Sequence, residues 1–193
     1  QGEIERALFK LTGERIRVLA ASRTDSGVHA LGQVVSFRTK SLLTPQTFAS
    51  GLNHYLPRDI AVKAAHRVSD SFNVRRHALS REYNYYILNS LVRSPIRAGF
   101  CHLVTGKLDI LAMNRAAQAL VGEHDFASFA TSAGAELENT WRRVYQAKVG
   151  KGGDLVVFNM VANSFLPHQV RNTVGALIRV GLGKMTAREF HSI

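Results

Sequence analysis

The chain is short of several things at once. It holds one cysteine, Cys101, in 193 residues. That excludes an internal disulfide and any metal cluster built on cysteine thiolates. The lone thiol fits a reducing compartment, and a cytoplasmic location is expected. No apolar run reaches the roughly 18 residues that span a bilayer, so no membrane partner is expected. Acidic groups are scarce too. Asp and Glu number 14 against 25 Lys and Arg, a formal net charge of +11 with a pI near 10.4.

What is present completes the picture. Hydrophobic residues make up 46% and charged residues 20%, enough apolar side chain for a core and too little charge for a disordered polyelectrolyte. The length suits one large domain or two small ones. Of the 25 basic residues 18 are arginine. The guanidinium is a planar fork that grips phosphate oxygens in pairs and stacks on bases, so a polyanion, and nucleic acid first, is the expected partner.

Periodicity divides the chain into helices and strands. Ile4, Ala7, Leu8 and Leu11 share one helical face over residues 3–11, and Gly13 can close that helix. Residues 16–20 (IRVLA) and 33–38 (QVVSFR) read as strands flanking a polar loop. Thr44-Pro45 is a helix start, with threonine as N-cap and proline at the first position, and Leu56-Pro57 ends that helix. Residues 60–68 read as a further strand. In the second half, residues 81–88 have strand character, 93–97 form a basic loop around Pro95, and 108–121 form an amphipathic helix. Residues 141–149 and 155–161 read as strands joined by a turn at Lys151-Gly152-Gly153, and 167–182 as a long helix capped by Gly183. The expected class is α+β: two ferredoxin-like, RRM-like halves sharing a mostly antiparallel sheet with helices on one face. The expected domains are residues 1–77, carrying the polar loop, and 78–193. The first half lacks one strand of a ferredoxin-like unit, and the chain opens on Gln1 rather than Met, so a fragment missing an N-terminal strand is expected.

The polar loop is the segment richest in chemistry. In Ala21-Ser22-Arg23-Thr24-Asp25-Ser26-Gly27-Val28-His29-Ala30, three hydroxyl side chains can bond local backbone, Gly27 permits a tight turn, and Asp25 sits in the middle beside an arginine. From spacing alone Asp25 is either a reactive carboxylate or the cap of an Asx-turn.

The run ASRTDSGVHALGQVVSF resembles the signature of the TruA-type tRNA pseudouridine synthases, G-R-T-D-[AS]-G-V-H-A leading into G-Q-V. Four further blocks resemble the same family in the same order: NHYLPRDIAV from Asn53, FNVR from Phe72 with REYNY from Arg81, GEHDFASF from Gly122, and NSFLPHQVRNTVG from Asn163. Ser22 stands where the pattern has glycine, and Val74 where it has alanine. The family also has an N-terminal strand and a C-terminal end for which this chain shows no counterpart.

The resemblance implies isomerisation of uridine to pseudouridine in the anticodon stem-loop of tRNA, at positions thirty-eight to forty, by a homodimer that flips the target base. Uridine and pseudouridine have the same atoms, so no cofactor, small-molecule or metal, is implied. Asp25 would supply the carboxylate, either adding to the base or helping detach it from the sugar. The resemblance implies Arg171 as its salt-bridge partner, which would keep Asp25 ionised in a pocket that excludes water. It places Tyr83 against the target base, where stacking replaces the lost helix stack, and its hydroxyl is a candidate for moving the C5 proton. Tyr83 is therefore both a catalytic and a substrate-binding candidate. Arg23 either holds the flipped nucleotide or pins the loop. Arg75, Arg76 and Arg81 are further substrate-binding candidates, and Arg93, Arg97, Arg142 and Arg143 can track the RNA backbone. His29 and Gln33 read as loop support. His124, Asp125 and His168 lack the third ligand a metal site needs. Two other classes compete: an RNA-binding module without chemistry, and a hydrolase, which would want a second carboxylate or a metal beside Asp25.

Overall fold

The computed structural model describes residues 1–131 and 137–193. The chain divides into two compact units, Gln1–Ala78 and Leu79–Ile193.

In the first unit, α1 (Gly2–Thr12) buries Ala7 and Leu8, with Ile4 and Leu11 packed beside them. Gly13 ends it in the left-handed region at φ 75°, its N–H donating to the Phe9 carbonyl. Helix α2 (Pro45–Tyr55) starts on Thr44, whose hydroxyl accepts from Thr47 N at 3.2 Å, and buries Phe48 and Leu52. The two helices meet closely at Gly51, where an added Cβ would lie 2.6 Å from a Leu11 methyl. Strands β1 (Leu19–Ala20) and β2 (Val35–Ser36) form an antiparallel pair of two residues each.

The strands of this unit are shorter than the sequence pattern implies. Ile16 and Val18 are buried and Arg17 and Leu19 exposed, so the two-residue alternation is real. Alternation reports an extended chain with one inward face; a ladder also needs a partner. Here side chains take the partner's place. Glu5 on α1 accepts from Val18 N at 3.0 Å, and that backbone bond is the main reason its carboxyl is held below the usual range. The strand expected over residues 60–68 is not formed. Ile60, Val62 and Ala65 do pack on the core, but the Asn53 amide occupies both peptide groups of Val62, accepting from its N–H at 2.7 Å and donating to its carbonyl at 2.8 Å.

The second unit carries a five-stranded sheet of order β4-β3-β7-β6-β5, with β3 (Arg81–Asn89), β4 (His102–Val104), β5 (Gly122–Asp125), β6 (Trp141–Gly152) and β7 (Leu155–Ala162). All neighbours are antiparallel except β3 and β4. The β6–β7 hairpin turns at Gly153 (φ 61°) and Asp154, glycine standing first as a two-residue II′ turn needs. Helices α3 (Ile110–Gln118), α4 (Gln169–Gly181) and α5 (Ala187–His191) pack on one face. Met113, Ala116, Val174, Leu177 and Phe190 share a core with Ile87, Val144, Ala147, Val156, Phe158 and Met160 from the strands. Val157 and Val161, on the alternate face of β7, lie outside that core and are half-buried.

The α+β class and the one-sided helix layer are as expected. The described strands form hydrogen-bonded sheets of two and five strands, mostly antiparallel. Replacement of Asn53 by alanine is expected to cost about 1–2 kcal/mol, the net worth of two hydrogen bonds, read as a drop in the chemical-denaturation midpoint.

Candidate functional site

In the first unit, the loop between β1 and β2 is long but fastened at its root. Ala21 N donates to the Val34 carbonyl at 2.9 Å, and the Gln33 side-chain amide donates to the Ser22 carbonyl at 2.8 Å. Arg75 adds a third fastening through its Nε, 3.2 Å from the Ala20 carbonyl. Arg75 is itself placed by Asn73, whose Oδ1 accepts from the backbone N–H of both Arg75 and Arg76 at 3.0 Å. Buried Val74 anchors the same turn from below, while Arg76 is exposed.

At the tip, Val28 N donates to the Asp25 carbonyl at 3.1 Å, and Gly27 takes φ 80°. The positive φ is what the third position of a type II turn requires, which explains glycine there. Asp25 is half-buried in this turn, whereas Arg23, Thr24, Ser26 and His29 are exposed. The loop thus presents one sheltered carboxylate among exposed polar neighbours.

In the second unit, Arg81 and Tyr83 project to the same side of β3, two residues apart, with Ala162 and Met160 as cross-strand partners. The Arg81 guanidinium donates to the Asn163 carbonyl at 2.6 Å. The Tyr83 ring meets the Phe165 ring edge-on, with centroids 4.9 Å apart and planes at 78°. Asn163 also bonds Arg143 in both directions, and its side chain accepts from Ser164 N at 2.8 Å. Residues 163–168 are therefore stitched to β3 and β6 before the chain enters α4. Arg171 follows in the first turn of α4, exposed. Below it, fully buried Gln169 accepts from Leu166 N at 2.8 Å, and Asn172 donates to the Phe129 carbonyl at 2.9 Å.

The structure so brings Arg75 to the root of the Asp25 loop, and Arg81, Tyr83 and the start of α4 to one end of the larger sheet. Phe165 and Asn163 were not among the candidates read from the sequence. Their only signal there is membership of the NSFLPHQVRNTVG block, since neither carries reactive chemistry.

The remaining basic candidates have mixed surroundings. Arg97 pairs with Asp154 at 2.7 Å, and Arg143 approaches Glu123 at 3.4 Å. Arg142 donates to the Asn139 and Trp141 carbonyls, its Nε is buried without a hydrogen-bond partner, and burial lowers its pKa. Arg93 is exposed. Asp125 is occupied structurally: the Thr140 side chain and Ala127 N both hydrogen-bond it and hold its carboxyl below the usual range. Among the described residues, no three His, Cys, Asp or Glu side chains are grouped as a metal would need. A hollow of about 370 Å³ lined by Glu82, Asn84, Lys148 and Asn159 lies on the alternate face of the sheet from Tyr83 and includes none of the candidates.

A half-buried aspartate thus stands in a braced loop on an arginine-rich α+β chain. The comparisons name the family. A model described as tRNA pseudouridine synthase matches residues 1–75 and 116–193. The chain is similar to the tRNA pseudouridine synthase A of Francisella tularensis subsp. holarctica, with 42% identity over 183 residues, 95% of this chain and 70% of that protein. It is similar to the tRNA pseudouridine synthase A of Shewanella amazonensis, with 44% identity over 184 residues and the same coverage of 95% and 70%. The chain belongs to the tRNA pseudouridine synthase family.

Phe165 is the half-buried support of Tyr83. Its replacement by alanine is expected to destabilise the second unit by about 2 kcal/mol, with leucine restoring most of the loss, as read by chemical denaturation.

Proposed function

We propose that this chain isomerises uridine to pseudouridine in the anticodon stem-loop of tRNA, at positions thirty-eight to forty. The reading is supported by the half-buried Asp25 on its fastened loop, within residues matched by the tRNA pseudouridine synthase model. In the reaction the bond from ribose C1′ to uracil N1 breaks and one from C1′ to C5 forms. C5 loses its hydrogen and N1 gains one, so atoms balance without a cofactor. A duplex conceals the target base, so the uridine is extruded first, at a cost of a few kcal/mol.

Each group then has a stated task. Asp25 is the carboxylate that acts on the base or the sugar. Arg171, in the first turn of α4, is the cation the resemblance assigns to the reaction. Tyr83 offers the uracil a π surface, and its edge contact with Phe165 holds that ring in place. Arg81 works beside it. Arg23, Arg75 and Arg76 hold the nucleotide and its phosphates from the first unit, and the wider arginine set supplies the salt-dependent grip on RNA. The enzyme acts as a homodimer in the cytoplasm.

Carbodiimide mapping on an unmodified tRNA transcript tests the reading. Modification confined to the anticodon stem-loop is expected, and modification elsewhere would refute the site assignment. Arg171→Ala is expected to lose at least about a hundredfold in kcat, as for a preorganised charge. Tyr83→Phe should keep tRNA affinity, and full turnover in that variant would remove the hydroxyl from the proton transfer.

A further inference from the structure

The face of the five-stranded sheet away from the helices carries a polar row. Asn84, Asn159 and Lys148 are cross-strand partners on β3, β7 and β6. Alternate residues of a strand share a face, so Glu82 stands one row to one side and Tyr86 one row to the other. The hollow of about 370 Å³ lies on this row, and Val157 and Gly150 also line it. Gly150 keeps it open, since a Cβ added there would meet nothing within 4 Å.

The polar groups are preset by Asn159, which is 7% exposed. Its Nδ2 donates to Glu82 Oε1 at 2.6 Å and to Asn84 Oδ1 at 2.9 Å, and its oxygen accepts from the Gln146 amide. Asn84 is bonded through its oxygen, which leaves its Nδ2 as a donor. Glu82 and Lys148 are exposed and line one hollow, yet among the described residues neither joins an ion pair. A carboxylate here repels phosphate, so on a chain of net charge +11 it suits a base edge rather than the RNA backbone. A fixed pair of acceptor oxygens beside two donors selects among the bases. Guanine alone has two adjacent N–H donors, N1 and N2, beside an acceptor, O6. Tyr86 supplies an exposed ring in the next row for stacking. We propose that the hollow is a subsite for an unpaired guanine of the RNA. Glu82 accepts from N1 and N2, Asn84 and Lys148 donate to O6, and Tyr86 stacks on the base. The proposal rests on RNA as the partner in the reading above.

Fluorescence anisotropy of the full chain tests it, with short labelled oligouridines that each carry one central G, A, C or inosine, alongside carbodiimide mapping of tRNA turnover. The parent is expected to bind the G probe at least about fivefold more tightly than the A and C probes, with inosine, which lacks the N2 amine, in between. Glu82→Gln keeps the shape and removes one acceptor, and Gly150→Val fills the hollow with a residue that strands favour. Each should bring G to within about twofold of A at an unchanged melting temperature. A parent that binds all probes alike, or none, would overturn the subsite, as would variants that keep the preference. GMP competing as well as the G probe would assign the hollow to a free nucleotide and overturn it too. A chain that prefers G but modifies no tRNA would support the subsite and contradict the functional reading. One that modifies tRNA without the preference would overturn the subsite alone.

Discussion

A peptide group withdrawn from water must find a partner, and the two halves of this chain meet that demand differently. In Leu79–Ile193 the partners are other strands: β7 is laddered on both sides, to β3 and to β6. In the extended segments of Gln1–Ala78 several are side chains. Glu5 serves Val18, Asn53 serves Val62, Gln33 serves Ser22 and Arg75 serves Ala20. The last two fasten the root of the loop that carries Asp25, so the placement of the carboxylate depends on side chains outside the loop tip. A loop of that length without such fastening would spend its binding energy on ordering the site.

The second unit complements this with rigidity. Tyr83 and Arg81 stand on the longest-paired edge of β3, and the segment after β7 is tied to them through Asn163 and Phe165. That segment delivers the chain into α4 through one residue in the left-handed region and one fully buried amide, His168 and Gln169. Arg171 therefore inherits its position from a sequence of fixed points.

Much of this was legible in the sequence, for identifiable reasons. Thr44-Pro45, Gly13 and the amphipathic spacing set α1 and α2 closely, because caps act through local chemistry. β3, β6 and β7 were legible because their alternation coincides with true ladders. The same alternation misled over residues 60–68, where Asn53 stands in for a neighbouring strand. β5, with the sequence GEHD, has no apolar pattern and owes its strand to its register with β6. α3 starts later than its apolar spacing implies because Asp109 caps it, leaving Leu108 buried before the helix, and Leu120 is buried beyond its C-terminal end. At the candidate site, Asp25, Tyr83 and Arg171 are candidates by resemblance. Phe165, Asn163 and the left-handed backbone at His168 were not legible, since support and backbone conformation leave no mark in residue chemistry.

The central claim is that Asp25 performs the isomerisation. Tritium release from tRNA labelled at uracil C5 tests it most directly, because C5 must lose its hydrogen when the new carbon–carbon bond forms. The account predicts release by the parent chain and none by Asp25→Asn, with both proteins folded. Release by the variant at the parent's rate would contradict it.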